Sequence, residues 1–281
     1  MDNSIKKNYG AYEMPDEIYQ LFDLERELNS MDLSLDSIGF QPCFHDFFYS
    51  ITPPDVIPFA NTGGNGIHFG FLTDFGEVST LTEAPIVCVS PTDDPPIKYM
   101  AQNIHEFFNL VASVPHAEML ERIGSNPDEE YIQQVKAEFD EYDTVEWKEM
   151  RDKISECFRN KFHTIEVDLG SSLKEAKKKR SNSISISTLD GLGVVGSEEI
   201  TNIDKKKYSF VWNKVIDEQE LETITSYLRE CNRTEKLAFI RDANYSVVLT
   251  PDYEKKFFPF IIELMHSLNL RDEVQRFLLK A

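Results

Sequence analysis

The hydrophobic and polar positions of this chain are most regularly ordered between residues 51 and 111, where the pattern changes period several times. A threonine followed by a proline at 52–53 supplies a capping oxygen and a ring already at helical φ, which predicts a short helix over residues 53–60. The Gly-Gly-Asn-Gly sequence at 63–66 tolerates positive φ and predicts a sharp turn. Apolar residues then alternate with polar or small ones over residues 67–72, which predicts a strand.

A second strand and a covering helix are predicted next. Residues 73–76 have the composition of a turn, and the wholly apolar run at 86–89 is typical of a strand buried on both faces. Asn103 and Glu106 have the spacing of a capping box, which predicts the start of a helix. Its apolar residues recur at i, i+3, i+4 and i+7 and would pack on the sheet: Ile104, Phe107, Phe108 and Val111.

In the order of these features the sequence resembles the SUKH superfamily, the α+β domain of bacterial toxin-immunity proteins, which also includes a yeast regulator of cell-wall synthesis. The matching features are a proline-led segment at 53–59, the Gly63-Gly64-Asn65 turn, an aromatic strand, an apolar strand and a closing helix with two adjacent phenylalanines. The resemblance covers residues 1–115. It implies an α+β domain in which helices pack on a mainly antiparallel sheet.

The composition changes after residue 111, and the segment 113–123, which contains Pro115, predicts a connection between domains. We therefore predict a SUKH-like binding domain over residues 1–115 and an α+β domain of unassigned role over residues 120–281. Apolar stripes and capping signals predict helices at 15–29 and after Asn126, Thr144, Asp217 and Thr250, with a last one at 272–279. Strands are predicted at 165–169, 184–186, 208–215, 237–240 and 245–249, the last two as a hairpin.

The formal net charge is −20, and it is unevenly distributed. Residues 1–120 contain 18 acidic and 4 basic residues, a net charge of −14, which leaves −6 for residues 121–281. Such a field repels nucleic acid and anionic lipid and accelerates the encounter with a basic partner. The simpler alternative is that the charge only maintains solubility. The one basic run, at 174–180, has no interleaved aromatic residue for base stacking, so we predict a solvated loop there and no nucleic-acid partner.

The sequence predicts a cytoplasmic protein without a membrane partner. No apolar run approaches the roughly 20 residues that span a bilayer, and the first residues lack the apolar core of a secretory signal. The cysteines lie far apart without CxxC spacing, which favours buried free thiols over disulfides or zinc ligands. They are Cys43, Cys88, Cys157 and Cys231.

Complete catalytic motifs are not found in the sequence. Residues 63–66 match neither a phosphate-binding loop nor a dinucleotide fingerprint, and Asp74-Phe75-Gly76 stands without the other kinase motifs. We therefore predict a protein that is not an enzyme and that has no cofactor, no catalytic residue and no metal site. A remote alternative is a hydrolase that uses His45, His68 and Asp74.

The predicted function is binding to a protein. Two acidic residues followed by two prolines at 93–96 predict a rigid acidic loop beside the sheet, although an exposed turn without function has the same composition. The resemblance implies an immunity protein that neutralises a basic, nuclease-type toxin. The alternative is a regulatory or scaffold protein of the same fold, and the oligomeric state is left open. The predicted partner-binding residues are Asp74, Phe75, Glu77, Asp93, Asp94 and Tyr99.

Overall fold

A five-stranded antiparallel sheet forms the centre of the first 101 residues. The structure, a computed structural model, describes residues 8–43, 49–141, 144–196, 207–211, 216–248 and 257–279. The strands follow one another in the order of the sequence, so each pairs with the next. They are β1 (Gln41–Pro42), β2 (Val56–Asn61), β3 (His68–Leu72), β4 (Ile86–Val89) and β5 (Ile97–Ala101).

Helices account for most of the remaining described chain. Capping side chains begin several of them: Asn103 accepts a hydrogen bond from the amide of Glu106, and Thr144 accepts one from the amide of Trp147. The helices are α1 (Asp16–Asn29), α2 (Ile104–Ala112), α3 (Glu118–Ser125), α4 (Glu129–Glu141), α5 (Val145–Phe162), α6 (Leu169–Ser183), α7 (Glu218–Arg229), α8 (Arg233–Val248), α9 (Phe257–Ser267) and α10 (Arg271–Leu278).

Both faces of the sheet are covered, which explains why its strands read as apolar on both sides. One face contributes Phe59, Phe69 and Phe71 to a core with α1, α2, α3 and α5. The opposite face packs Val87 and Tyr99 against α6. The predicted α+β class and the antiparallel sheet are confirmed, as are the strands at 67–72 and 86–89 and the helices at 15–29 and 104–111.

The predicted helix over residues 53–60 is wrong, because residues 56–61 form β2. Every residue of β2 is buried and hydrogen-bonding partners are available on β3, so sheet pairing prevails over the local helix-start signal. The predicted connection at 113–123 is also wrong over its second half. There α3 forms and buries Met119, Leu120 and Ile123.

Five strands are predicted after residue 120. Those at 165–169, 237–240 and 245–249 are wrong over their described residues, and the one at 184–186 is reduced to a single bridge. Within the described part of that region the regular elements are helices, apart from one isolated β-bridge between Ile186 and Val194. The predicted hairpin at 237–249 lies, over its described residues, in the single helix α8, and residue 249 lies outside them. The basic run at 174–180, predicted as a loop, lies in α6, and residues 165–167 form no strand. The predicted strand at 208–215 lies partly outside the described residues, and residues 207–211 form no regular element.

The two predicted domains share buried contacts. The guanidinium of Arg276 on α10 donates hydrogen bonds to the carbonyl oxygens of Pro54 and Asn8, at 2.8 and 3.2 Å. The carboxylate of Asp272 accepts a 2.7 Å hydrogen bond from the amide of Ala11. The last described helix therefore holds both the first described residues and the segment that leads into β2.

Candidate functional site

The six predicted partner-binding residues divide into two groups. Glu77, Asp93 and Asp94 are exposed. The other three are buried: Asp74 is 5% exposed, Phe75 is 3% exposed and Tyr99 is 9% exposed. A partner that docks on this surface would therefore meet the first group, while the second group contacts other parts of the chain.

Asp93 is held by a buried lysine beside it. The amine of Lys98, on β5, donates hydrogen bonds to the carboxylates of Asp93 and of Glu121 on α3. Burial alone would lower the pKa of Lys98, but its bonds to Asp93 and Glu121 raise it, so the amine is charged. The lysine is neutralised from two sides, and the acidic loop is tied to α3.

Asp74 belongs to a buried ion cluster between the sheet region and the helices that follow it. Its two carboxylate oxygens accept hydrogen bonds of 2.7 Å from the guanidinium of Arg180 on α6. This bidentate geometry is the strong form of an arginine–carboxylate pair. Arg180 also donates to the carbonyl oxygens of Leu192 and Gly193, so four of its five N–H donors are used.

Arg241 on α8 is the centre of the same cluster, and its side chain is fully buried. Its guanidinium lies 2.5 Å from the carboxylate of Asp55, 3.4 Å from that of Asp190 and 3.5 Å from that of Asp74. Burial by itself would lower the pKa of Arg241, but these carboxylates raise it. Three buried carboxylates therefore share two guanidinium groups, those of Arg241 and Arg180.

The turn that carries Asp74 has an uncommon backbone. Asp74 and Phe75 are consecutive non-glycine residues with positive φ, 47° and 56°. The left-handed conformation is unfavourable for a bulky residue and persists when its surroundings hold it. Here they do: Phe75 packs in the core formed by α7–α10, and its ring lies 5.0 Å from the guanidinium carbon of Arg241.

The cluster predicts a dependence of stability on pH. Burial raises the pKa of Asp55 to about 6, and Arg241 offsets only part of that effect. Because this folded-state pKa lies above the ordinary value of 3.8, the contribution of Asp55 is fully present below about pH 3.8 and is lost as the pH rises through about 6. Relative to Asp55→Asn, the wild-type protein should gain roughly 1 kcal/mol of unfolding free energy between pH 7 and pH 5.

Urea unfolding of both proteins at several pH values measures this gain. The Asn side chain keeps the shape of Asp55 and cannot titrate, so the difference between the two curves isolates this group. Parallel curves for the two proteins between pH 7 and pH 5 would contradict the assignment.

The residues of the remote hydrolase alternative take part in separate contacts. His68, on β3, is fully buried; its Nε2 lies 3.1 Å from the Thr52 hydroxyl and its Nδ1 lies 2.8 Å from the Gly66 carbonyl oxygen. Since the carbonyl oxygen can only accept, Nδ1 carries a proton and donates to it. Asp74 is bound to Arg180 and Arg241, as described above, and His45 lies outside the described residues.

The surface of the sheet region is almost uniformly acidic. Sixteen acidic residues are described between Asn8 and Leu120, and only Glu25, Asp55 and Asp74 among them are buried, so thirteen have solvent-accessible side chains. Two basic residues are described in the same range, and one of them, Lys98, is buried. The other, Arg26, is exposed and pairs with Asp23. Few cations of this region therefore oppose its negative field.

Sequence reasoning missed the ion cluster, and one signal for it was present. Arg241 and Asp242 directly follow the apolar run 237–240, and charged residues that continue an apolar stretch within a helix indicate buried pairing. Because the run is interpreted as a strand in the sequence, the two charged residues that follow it are interpreted as a turn and not as buried groups. Pairing over separations such as 186 residues, between Asp55 and Arg241, has no local sequence pattern.

No protein-family model matches this sequence, and a search of curated proteins finds no match. The SUKH resemblance therefore stays a prediction. In the described part of the chain, no group of three or more histidine, cysteine, aspartate or glutamate side chains could hold a metal ion. The helices among those residues also include none with the length and apolar character to cross a membrane.

Proposed function

We propose that this chain is a non-enzymatic, cytoplasmic binding protein that neutralises a basic protein partner, of the nuclease-toxin type implied by the SUKH resemblance. The observation that carries the proposal is the acidic surface of the sheet region, where thirteen accessible carboxylates face one accessible basic residue. A surface of one sign attracts a partner of the opposite sign from a distance and raises the rate of productive encounter.

The predicted residues have two different roles, because some are exposed to a partner and others are buried beneath the surface. Glu77 and Asp94 are exposed and contact the partner, and the accessible part of Asp93 adds to the same surface. Asp74 and Phe75 act from inside, because their contacts with Arg180 and Arg241 fix the turn that presents Glu77. Phe75 therefore supports this surface and is not an anchor inserted into the partner.

A regulatory or scaffold role on the same fold is the second candidate. It is favoured by two exposed apolar side chains in the first turn of α5, Val145 and Trp147, which are 68% and 52% exposed. Large apolar side chains on the surface are typical of contacts with other proteins. Under this alternative α5 would carry the interaction, and the acidic surface would only maintain solubility.

The test measures association between the full chain and a basic nuclease-type protein, at increasing salt. Raising the ionic strength from about 50 mM to about 500 mM should slow association at least tenfold, because the Debye length shortens from about 14 to about 4 Å. The variant Glu77→Lys/Asp94→Lys should associate more slowly than wild type at low salt. Glu222→Lys/Glu263→Lys makes the same change of charge on exposed positions of α7 and α9 and serves as the matched control.

Three outcomes separate the candidates. Slow association only for the Glu77/Asp94 variant supports the acidic loop as the docking surface. Equal slowing of both variants indicates a general field without a defined surface. Association that is independent of salt and is lost in Trp147→Ala supports the second candidate.

A further inference from the structure

A small cavity lies beside the edge strand β5, between the end of α3 and one face of α6. Its volume is about 260 Å³, below the roughly 300–1,000 Å³ of pockets that hold drug-sized ligands. Pro95, Ile97 and Ile184 give it apolar walls. Its polar lining includes Lys98, Tyr99, Lys177 and Arg180. The size and the mixed lining suit a small polar ligand.

Three cations border this cavity in a chain with a net charge of −20, and their charges are not balanced in the same way. Lys98 is neutralised by Asp93 and Glu121, and Arg180 is neutralised by Asp74. Lys177 has no ion pair within the described residues, and its amine donates a 2.6 Å hydrogen bond to the carbonyl oxygen of Gly124. One positive charge at the cavity is therefore without a carboxylate partner in the part of the chain that the structure describes.

The surroundings of Lys177 disfavour the charged form of its amine. Burial lowers its pKa, and the neighbouring charge of Lys98 lowers it further. An anion in the cavity would reverse both effects, because it supplies the opposite charge that the half-buried amine lacks. The carbonyl of Gly124 satisfies only one of the three donors of the amine.

A second lining group, Tyr99, offers a donor to a ligand in this cavity. Tyr99 is 9% exposed, and its hydroxyl makes no hydrogen bond to any described residue. The hydroxyl is not itself fully buried, so it is accessible from the cavity and can donate to a ligand there. The ring of Tyr99 is fixed beneath the guanidinium of Arg180, 5.7 Å from ring centre to carbon, so the side chain is held in place. The hydroxyl of Ser181 lines the same cavity and supplies one more donor.

We propose that this cavity binds a small oxyanion, a phosphate or a carboxylate, through the amine of Lys177 and the hydroxyls of Tyr99 and Ser181. The amine supplies the charge and the hydroxyls supply directed donors. Asp93 and Glu121 repel a competing anion from Lys98, which places the ligand at Lys177. The cavity borders the acidic loop, because Pro95 and Lys98 line it and Lys98 binds Asp93, but its ligand-binding amine comes from α6. It would therefore act as an effector site or as the receptor for one anionic group.

Isothermal calorimetry with inorganic phosphate, at constant ionic strength, tests the proposal on the full chain. Wild-type protein should bind one phosphate saturably. Lys177→Gln keeps a hydrogen-bond donor and removes the charge, and it should bind at least about tenfold more weakly, the loss expected for one charge-assisted hydrogen bond. Lys178→Gln makes the same substitution at the exposed neighbouring position of α6 and should bind like wild type.

Two further variants keep the test interpretable if Lys177→Gln unfolds. Lys177→Arg retains the charge and should retain binding, and Tyr99→Phe removes only the hydroxyl and should weaken binding severalfold. Repeating the titration with acetate distinguishes a carboxylate ligand from a phosphate. The absence of saturable binding of either anion by wild-type protein would overturn the proposal, as would equal affinity of Lys177→Gln and Lys178→Gln.

Discussion

Replacing Arg241 by alanine should lower the free energy of unfolding by about 3–5 kcal/mol, the cost of removing one partner from a buried ion pair. The side chain is fully buried and contacts three carboxylates. Its removal leaves Asp55 with no cation at hydrogen-bonding distance among the described residues, and Asp74 and Asp190 lose a shared one. The measurement is the midpoint of urea unfolding together with its slope.

The matched control for this prediction is Arg229→Ala at the exposed last turn of α7, which should change stability by less than about 0.5 kcal/mol. A second comparison identifies the cause. If uncompensated carboxylate charge is responsible, Asp55→Asn should recover part of the loss when it is combined with Arg241→Ala. Additive effects of the two substitutions, or a loss below about 1 kcal/mol for Arg241→Ala, would contradict the assigned role of Arg241.

The ion cluster also affects the proposed docking surface. Arg180 and Arg241 hold Asp74 and Phe75 in the left-handed region, and Glu77 follows that turn directly. Destabilising the cluster would therefore disorder the turn that presents Glu77. A variant of Arg241 that still folds should consequently bind a basic partner more weakly, although the residue is remote from solvent.

Local sequence patterns correctly predicted the helices and strands whose signals lie within a few consecutive residues. The helix at 104–112 has both its cap, Asn103, and its apolar stripe within nine residues, and β3 has its alternation within five. The apolar run 237–240 is compatible with a strand and with a buried helix, and periodicity alone does not distinguish them. The short apolar run is interpreted as a strand from the sequence, and its burial within α8 in the core with α7, α9 and α10 decides for the helix.

In the candidate site too, local sequence predicted correctly only the residues whose exposure does not depend on distant elements. Exposed Glu77 and Asp94 have the composition of surface turns and were identified from it. Asp74 and Tyr99 have the same local character but are buried by α6, which was expected to be a loop. The error at α6 therefore accounts for the error in the exposure of both residues. Its lysines had indicated solvent, yet Ala176 of the same helix is buried against the sheet and Lys177 is half-buried.

Replacing Phe40 by alanine should lower the free energy of unfolding by about 3–5 kcal/mol. The ring is fully buried and has centroid distances of 5.8–6.5 Å to five other phenylalanines. They come from the sheet, from α2 and from α5: Phe59, Phe69, Phe107, Phe108 and Phe158. Alanine leaves a cavity that these rings, fixed by several elements, cannot close.

Phe162→Ala is the matched control, because Phe162 belongs to the same cluster but is only partly buried at the end of α5. The loss of unfolding free energy in Phe162→Ala should be clearly smaller than in Phe40→Ala, and equal losses for the two variants would contradict a central role for Phe40.

The number of unfolding transitions tests whether the two predicted domains are coupled, since Phe40 lies in the predicted first domain and Phe158 in the second. If the aromatic cluster couples the two, wild-type protein should unfold in one transition by both far-ultraviolet and near-ultraviolet circular dichroism. Two separate transitions would instead indicate the independent domains that the sequence predicts.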